Sequence, residues 1–442
     1  MSSPSEAAIA GDEASRDQGL VRAIGTAGLA LAIVNGVVGG GIFVLPASLA
    51  DAVGPAAPLA YLLCAVAMGA VVICFAEAGS RVPTSGGSYG YVEAAFGSRA
   101  GFVTGMSVWL SSALACGGIA AALAAAIAAL VPALGNSGGR AVVIVAAVGG
   151  IAFVNALGVR SGARLTSIAT IVKLIPLGVL LLLGTATIDW SALPPPTVAL
   201  GEADIGRAVI LALFAFSGME TVLASSGEVK RPSRTVPRAT MLGMGFVLVL
   251  YIGLQLVTQG LLGDALARSA TPLADAIAVI DPRLRILLLV GTALSLLGWI
   301  ASDIIGAPRV LFAFGRDGLL PAALGQLDPR SRAPVIAIVV HSLVVLALAL
   351  SGTFVQLAIL SSLSTAIIYF AACAAAWALH RRDIAVLGDP LSFRILPLAA
   401  LAGMACMIAI VALASPSEML ALAGLVAGSI AIHAVATRRR AA

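Results

Sequence analysis

Charged residues are scarce in this chain of 442 residues, and their scarcity excludes most classes of protein. Asp, Glu, Lys and Arg make up 11% of the sequence, whereas soluble domains usually carry about 25%. Hydrophobic residues make up 60%, and the mean hydropathy is +1.06. A soluble fold of this length has too little interior to bury so much apolar surface. The composition therefore indicates a polytopic membrane protein.

Cysteine and histidine are also rare, which disfavours sites built from them. The five cysteines stand singly in apolar runs, without CxxC spacing or a nearby histidine, and we interpret them as small packing residues. The three histidines, at or near the ends of apolar segments, receive no role. Because no nucleophile–base pair, metal cluster or phosphate-binding loop appears, we predict a protein that is not an enzyme and needs no metal or cofactor.

Long apolar runs fill most of the chain. About 20 apolar residues are needed to cross a bilayer as a helix, and the sequence contains twelve candidate spans. In order, spans 1 to 12 are 24–50, 56–80, 100–131, 139–157, 164–186, 205–229, 237–262, 284–312, 334–351, 353–379, 394–414 and 417–436.

Lys and Arg residues are distributed unevenly between the two sides of these spans. With the N-terminus inside, twenty of the 26 lie in inner segments, five lie in outer segments, and Lys173 lies within span 5. Such an excess marks the cytoplasmic side. The pattern predicts a multi-pass protein of the inner (cytoplasmic) membrane with both termini cytoplasmic, and it explains the net charge of +5 without nucleic-acid binding.

Two spans carry helix-breaking residues near their middle. Span 1 contains Gly39, Gly40 and Gly41, and span 6 contains Ser217-Gly218. Each glycine in a helix interior costs about 1 kcal/mol relative to alanine. Irregular backbone at membrane depth is tolerated where it is buried or lines a cavity, and paired breaks in two halves are typical of inverted-repeat transporters. The alternative explanation of the glycines is close packing between helices.

Broken helices supply the backbone groups that recognise an amino acid. Amides at the start of a half-helix bind a carboxylate, and carbonyls at the end of the opposite half-helix bind an ammonium. An α-amino acid carries both groups at a fixed separation. We therefore expect the two breaks to form a midplane site for such a substrate.

Three ionisable side chains lie within spans, where charge is costly and is a functional hypothesis by default. Lys173 is in span 5, Glu220 follows the break in span 6, and Asp303 is in span 8. We predict that these three take part in coupling or proton transfer. The alternatives are a static ion pair between Lys173 and Asp303, and a structural tether of the break by Glu220. Trp299 lies in the middle of span 8. We expect it either to pack against neighbouring helices or to form a gate over the substrate.

Four stretches together resemble the amino acid–polyamine–organocation (APC) family of transporters, from about residue 20 to 436. "GGGIFVLP" resembles the glycine stretch in the family's first helix, and "FAEAGSRVPTSGGSYGYVEAAFG" (75–97) resembles its first cytoplasmic loop and the following re-entrant region. "FAFSGMETVLASSGEVKRPSRTVPRA" (214–239) resembles the sixth helix and its basic loop, and "RVLFAFGRDGLLP" (309–321) the loop after the eighth helix.

The resemblance implies an all-α fold with twelve transmembrane helices. It consists of a five-plus-five inverted repeat with broken helices 1 and 6, and two C-terminal helices that are often at a homodimer interface. The parts are a cytoplasmic tail (1–22), a first repeat (23–190), a second repeat (191–380), helices 11 and 12 (381–436) and a basic tail (437–442). The implied partners are an amino acid or amine, protons and membrane lipid.

The family's substrate site maps onto spans 1, 3, 6, 8 and 10. The carboxylate lies at the glycine stretch of span 1, and the ammonium faces the break in span 6. The residues implied to bind substrate are Val37, Gly39, Gly40, Gly41, Ser111, Ser112, Cys116, Phe214, Ala215, Ser217, Trp299 and Ser361, with Ser362 as the alternative to Ser361.

Departures from the family pattern bear on the substrate. Gly40 stands where arginine/agmatine exchangers have serine, and Cys116 replaces a polar amide, so arginine is disfavoured. Lys173 matches a lysine of sodium-independent members, whose ammonium takes the place of a bound cation in sodium-coupled relatives. Asp303 is not part of the family pattern, and it either pairs with Lys173 or faces a cationic substrate.

The sequence thus predicts a secondary active amino-acid permease that works by alternating access, is independent of sodium and is coupled to protons or to exchange. One alternative is a basic amino-acid or polyamine antiporter in which Asp303 and Glu220 are counter-charges. A second is an amino-acid sensor that does not transport, although the sequence offers no soluble signalling domain.

Overall fold

The computed structural model describes residues 24–82, 87–157, 163–191, 193–196, 204–223, 229–385 and 390–441. These residues form 17 α-helices joined by turns and short 3₁₀ segments. In this part of the chain the β-structure is limited to one bridge, between Ile24 and Val229. The all-helical class agrees with the prediction. The predicted N-terminal tail (1–22) lies outside the described residues.

The helix bounds follow the apolar segments of the sequence. In chain order they are α1 (Thr26–Val37), α2 (Gly41–Val53), α3 (Ala57–Arg81), α4 (Ser88–Phe96), α5 (Ser98–Leu130), α6 (Ser137–Ala156), α7 (Ala163–Thr187), α8 (Ile205–Phe216), α9 (Met219–Leu223), α10 (Pro232–Leu262), α11 (Pro272–Ile280), α12 (Leu284–Gly306), α13 (Pro308–Arg316), α14 (Val335–Ser351), α15 (Phe354–Arg381), α16 (Leu396–Ala412) and α17 (Pro416–Ala441).

Eight helical segments among the described residues are long and apolar enough to cross a membrane. The shorter apolar helices are α1, α14, α16 and the part of α7 from Lys173 to Thr187. Large apolar side chains such as Val66, Leu182 and Leu420 are more than 70% exposed, as expected for surfaces that face lipid. All twelve apolar segments therefore contain helix, while the number of crossings and the inverted repeat stay predictions.

Span 1 is interrupted where the glycines predict. Helix α1 ends at Val37, and Val38, Gly39 and Gly40 are not helical before α2 begins at Gly41. The glycines allow close approach: a Cβ on Gly39 would stand 2.7 Å from the indole nitrogen of Trp299. The break is thus packed against α12 rather than open to lipid, as irregular backbone at membrane depth requires.

Span 6 is interrupted at Ser217-Gly218. Helix α8 ends at Phe216, and the short helix α9 begins at Met219. Gly218 has a φ of +118°, a conformation that residues with a side chain rarely adopt. A Cβ on Gly218 would stand 2.6 Å from the Gly36 carbonyl oxygen, so this part of the break packs closely against the end of α1. The two breaks therefore face each other across the interior of the helical bundle.

A polar cluster ties the C-terminal end of α3, which the charge pattern predicts to be cytoplasmic, to the end of α15. Glu77 is fully buried, and its carboxylate lies 3.1 Å from Arg81 Nε and 2.6 Å from His380 Nδ1. The same carboxylate accepts a hydrogen bond from the backbone amide of Phe393, before α16. Because His380 belongs to α15 and Phe393 precedes α16, the cluster fixes the relative positions of α3, α15 and α16.

Candidate functional site

The two breaks line one small cavity, enclosed also by α5, α12 and α15. Its volume is about 40 Å³. Since a buried water needs about 10–15 Å³ on this measure, the cavity holds about three waters. An amino acid is larger than this volume. The lining residues are Gly36, Val37, Gly39, Gly40, Gly41, Val108, Ser111, Ser112, Ala115, Ile119, Phe214, Ser217, Gly218, Glu220, Thr221, Trp299 and Ser361.

Most residues named from the sequence meet at this cavity. In the wall are Val37, Gly39, Gly40, Gly41, Ser111, Ser112, Phe214, Ser217, Trp299, Ser361 and Glu220. Cys116 and Ala215 are buried but are not in the wall. Ala215 follows Phe214 in a helix and therefore points about 100° away from it. Ser362 donates to the Ala358 carbonyl of its own helix, which leaves Ser361 as the serine at the cavity.

The start of α2 gives the cavity a wall suited to an anion. Gly40 and Gly41 line the cavity, and Gly41 is the first residue of α2. The first amides of a helix have no carbonyl one turn earlier to accept from them. The aligned peptide dipoles add partial positive charge at this end. The wall can therefore bind a carboxylate through backbone groups alone.

Lys173 occupies the other side of the break in span 1. Its ammonium donates to the carbonyls of Asn35 and Val38, each at 2.6 Å, and the side chain is 4% exposed. A cation is favourable there because a helix C-terminus carries partial negative charge and its last carbonyls lack amide partners. The alternative of an ion pair between Lys173 and Asp303 is wrong, because Asp303 contacts His341 and Ser112 instead.

Two aromatic side chains satisfy further carbonyls at the end of α1. The Tyr251 hydroxyl donates to Val37 at 2.9 Å, and Trp299 Nε1 donates to Gly36 at 3.3 Å. Trp299 thus lines the cavity while its indole bonds the backbone of span 1. The carbonyls at the end of α1 thus accept hydrogen bonds from side chains of the protein. Tyr251 carries no sequence signal beyond being a tyrosine in an apolar run.

The end of α8 forms the opposite wall. The Ser217 hydroxyl donates to the Phe214 carbonyl at 2.8 Å, and the Phe214 ring packs edge-on against Phe354 at 5.6 Å between centroids. The last carbonyls of α8, including that of Ala215, lie at a helix C-terminus, where an ammonium is favoured.

Glu220 links the break in span 6 to α15. Its Oε2 accepts from the Gly218 amide at 2.9 Å and from the Tyr369 hydroxyl at 2.7 Å. It also lines the cavity and is 7% exposed. These contacts are those of a tether, one of the two interpretations that the sequence leaves open.

Hydroxyl groups join α5 and α15 beside the cavity. Ser111 Oγ lies 3.1 Å from Ser361 Oγ and 2.8 Å from Thr365 Oγ1, and Ser361 Oγ donates to the Ser111 carbonyl at 2.9 Å. Because these groups satisfy one another, they hold the two helices in contact. Ser112, the next residue on α5, instead donates to Asp303.

Asp303 lies behind the cavity wall with a partner that the sequence does not identify. Its Oδ2 is 2.9 Å from His341 Nε2, and Trp109 Nε1 is 3.2 Å from His341 Nδ1. The sequence assigns no role to His341 because it stands near the start of its apolar run. In the structure it lies within α14 and is fully buried. The signal that could have identified His341 is that it is an ionisable side chain within an apolar span.

Comparison with known proteins places this chain among transporters. A family model described as amino acid permease matches residues 24–436. The chain belongs to this family of amino-acid transporters and is a multi-pass membrane protein. The resemblance to APC transporters is thereby confirmed.

Relatives are spread over several bacteria. An uncharacterized transporter of Mycobacterium tuberculosis (strain ATCC 25618 / H37Rv) is 30% identical over 421 residues, which cover 93% of this chain and 92% of that protein. The serine/threonine exchanger SteT of Bacillus subtilis (strain 168) is 28% identical over 339 residues, 73% of this chain and 75% of that protein. The branched-chain amino acid permease BcaP of the same strain is 25% identical over 357 residues, 73% of each chain. A further M. tuberculosis H37Rv transporter, 29% identical, is matched over 66% of its length.

Proposed function

We propose that the protein is a sodium-independent permease that moves amino acids across the cytoplasmic membrane by alternating access around its broken spans 1 and 6. One observation carries this proposal: Gly39–Gly41 of span 1 and Ser217-Gly218 of span 6 line the same cavity. Broken backbone at such a site offers amides to a carboxylate and carbonyls to an ammonium. An α-amino acid presents both groups together.

We propose that the carboxylate binds at the start of α2 and the ammonium at the end of α8. This orientation is supported by the end of α1, where Lys173, Tyr251 and Trp299 already donate to the backbone carbonyls. A substrate ammonium there would displace protein donors. The end of α8 offers carbonyls at a helix C-terminus next to Ser217.

The proposed substrate has a neutral side chain of small or medium size. Among the described residues, the charged side chain in the cavity wall is Glu220, whose Oε2 already accepts two hydrogen bonds. Ala115 and Ile119 make the neighbouring wall apolar. Two relatives are named for neutral amino acids, one as a serine/threonine exchanger and the other as a branched-chain amino acid permease.

Sodium independence is proposed from Lys173. Its ammonium contacts two backbone carbonyls, that of Asn35 in the last turn of α1 and that of Val38 at the start of the break. Carbonyl oxygens are the ligands that alkali and alkaline-earth cations use in proteins. A fixed ammonium at this point leaves no place for a second cation. Coupling then falls to a proton or to an exchanged amino acid.

Uptake by the purified protein in liposomes tests this function. Labelled L-alanine, L-serine and L-isoleucine are compared in sodium and in potassium medium, each with and without a pH gradient. We expect equal uptake in both salts and faster uptake with the interior alkaline or with unlabelled amino acid trapped inside. A strict need for sodium would contradict the coupling, and lack of uptake of every neutral amino acid would contradict the substrate class.

The competing functions separate in a binding panel. Substrate bound to the folded protein raises its melting temperature, so putrescine, agmatine, L-lysine and the neutral amino acids can be ranked directly. Because Glu220 lines the cavity, a basic amino-acid or polyamine antiporter is the second candidate. Stabilisation by the amines alone favours that candidate, and stabilisation by amino acids without uptake indicates a sensor.

A further inference from the structure

A buried polar cluster connects Asp303 on α12 with His341 on α14 and with Trp109 and Ser112 on α5. His341 is fully buried, and Asp303 is 7% exposed. Asp303 stands outside the cavity wall, while Ser112 is part of that wall and donates to Asp303 Oδ1. Ser112 is thus the single hydroxyl through which the described part of the cluster reaches the substrate cavity.

Trp109 determines the direction of the hydrogen bonds in this cluster. An indole N–H only donates, so the Trp109 contact makes His341 Nδ1 an acceptor. The other imidazole nitrogen, Nε2, then carries the hydrogen and donates to Asp303 Oδ2. In a protonated imidazole Nδ1 would also carry a hydrogen, and this N–H would point at the N–H of Trp109 with no acceptor between them. The network therefore assigns a neutral His341 that donates to an ionised Asp303.

The two oxygens of Asp303 differ in their ability to take up a proton. Trp109 fixes the tautomer of His341, so Nε2 carries a hydrogen that points at Oδ2. A hydrogen on Oδ2 would clash with it and break this hydrogen bond. Oδ1 faces the Ser112 hydroxyl, and a hydroxyl accepts as readily as it donates. A proton on Oδ1 therefore reverses one hydrogen bond and breaks none.

We propose that Asp303, positioned by His341, is a proton-binding switch that sets whether Ser112 accepts or donates a hydrogen bond in the substrate cavity. With Asp303 ionised, Ser112 gives its hydrogen to Oδ1 and presents lone pairs to the cavity. When Oδ1 binds a proton from water, one O–H bond forms, Ser112 accepts from it, and the serine hydrogen turns to the cavity. That hydrogen is then available to an oxygen atom of the substrate.

The switch rests on the proposed transport function and deepens it, because it names the residue that couples a proton to the substrate. A substrate oxygen at Ser112 binds better when Asp303 is protonated. By linkage, the bound substrate raises the affinity for the proton by the same factor. Loss of the proton on the other side of the membrane then reverses the Ser112 hydrogen bond and weakens substrate binding.

The other titratable groups around Asp303 are neutral or engaged elsewhere. Cys116, also on α5, adds a thiol beside the carboxyl group. On the helices packed against α12, Lys173 of α7 contacts the carbonyls at the end of α1. Arg309 of α13 donates to the Ile305 carbonyl at the end of α12. Glu220 faces the cavity from α9 with its own donors. Among the described residues, the contacts to Asp303 therefore come from neutral groups.

Infrared difference spectra of the protein in liposomes test proton binding without a substrate. In a titration from neutral to acidic pH, wild-type protein is expected to show the C=O band of a carboxylic acid appearing as Asp303 binds its proton. Asp303→Asn should lack one component of this band, whereas Glu220→Gln should keep that component. His341→Leu removes a donor to the ionised form, and it should move the midpoint of this band to higher pH. His341→Gln, whose amide both donates and accepts, should restore the midpoint.

Uptake of L-serine over the same pH range tests the link to transport. Asp303→Asn and Ser112→Ala should both flatten the pH profile, because either change removes the reversible hydrogen bond. Ser302→Ala is the control, since Ser302 is exposed on α12 and bonds the Gly298 carbonyl of its own helix. A melting curve for each variant separates misfolding from loss of coupling.

The two proposals fail in different ways. A difference spectrum that Asp303→Asn leaves unchanged overturns the switch even if the protein transports amino acids. If Asp303→Asn does not fold, Ser112→Ala decides, and a wild-type pH profile in that variant overturns the switch. Absence of uptake of every amino acid by the wild type overturns the transport function, while the infrared spectra still report whether Asp303 binds a proton.

Discussion

Gly218 lies so close to Gly36 that a Cβ on Gly218 would stand 2.6 Å from the Gly36 carbonyl oxygen. The contact is reciprocal, because a Cβ on Gly36 would stand 3.2 Å from the Gly218 oxygen. This pair brings the break of span 6 directly against the end of α1. The two half-sites therefore form one unit, and movement of one break displaces the other.

Replacing Gly218 with alanine is expected to disrupt this unit. The backbone has a φ of +118°, and strain of this kind costs about 1–3 kcal/mol before the contact with Gly36 is counted. We expect Gly218→Ala to melt several degrees lower and to transport at less than about a tenth of the wild-type rate. The melting temperature in detergent and uptake in liposomes measure the two effects.

Gly245→Ala is the matched control for this substitution. Gly245 lies within α10, and a Cβ there would meet nothing within 4 Å. Alanine in a helix interior is favoured over glycine by about 1 kcal/mol, so this variant should melt at or above the wild-type temperature. Wild-type melting and uptake in Gly218→Ala would show that the close contact is not required.

Lys173→Met is expected to lose transport. The variant keeps the length of the side chain but leaves the carbonyls of Asn35 and Val38 without their donor, at about 1–3 kcal/mol for each buried acceptor. Uptake should fall at least tenfold. Added sodium should restore part of the uptake, because a sodium ion can bind the two carbonyls that the ammonium contacts in the wild type.

The control for Lys173 is Lys230→Met. Lys230 is exposed and precedes α10, so its loss should leave uptake unchanged. Uptake by Lys173→Met at the wild-type rate, with an unchanged pH profile, would remove Lys173 from the transport mechanism.

Substitutions of Glu220 distinguish two roles for this side chain, a structural tether of the break in span 6 and a carrier of the coupled proton. A glutamine oxygen can accept from both the Gly218 amide and the Tyr369 hydroxyl, so Glu220→Gln should keep its melting temperature within a few degrees and at least about half of its uptake. Glu220→Ala removes the acceptor from two buried donors and should melt clearly lower. If Glu220→Gln instead abolishes the pH dependence of uptake, Glu220 and not Asp303 carries the proton.

The breaks were accessible from the sequence because they are local. Three glycines in a row and Ser217-Gly218 stand out within apolar segments, and a helix interior disfavours glycine wherever it lies. Most of the cavity wall followed from the resemblance to APC transporters. What it did not supply is the direction in which individual side chains point, which is why Cys116 and Ala215 were included.

The partners of the buried charges were not accessible, because they depend on helix packing. Asp303 and His341 are 38 residues apart on different helices, and neither has a motif that names the other. Lys173 and Asp303, the two opposite charges that the sequence suggests pairing, each have other partners. Backbone carbonyls satisfy Lys173, and only a broken helix makes such carbonyls available.

The Ile119 side chain is expected to limit the size of the cavity. This side chain lines the cavity, and its Cγ1 would stand 2.5 Å from a Cβ on Gly40, so it closes the wall against the break in span 1. Ile119→Ala removes three carbon atoms from that wall and gives a longer substrate side chain room. A hydrophobic pocket discriminates by about 10–200-fold for one methylene, so the ratio of L-leucine to L-alanine uptake should rise roughly tenfold.

Ile127→Ala is the control for Ile119→Ala, because Ile127 lies two turns further along α5 and outside the cavity wall. Both variants lose packing, so the melting temperature should fall in both, and less in Ile127→Ala because Ile127 is only partly buried. The uptake ratio should change in Ile119→Ala alone. An equal change in both variants would mean that stability and not cavity size alters the rates, and no change in either would place the substrate side chain away from α5.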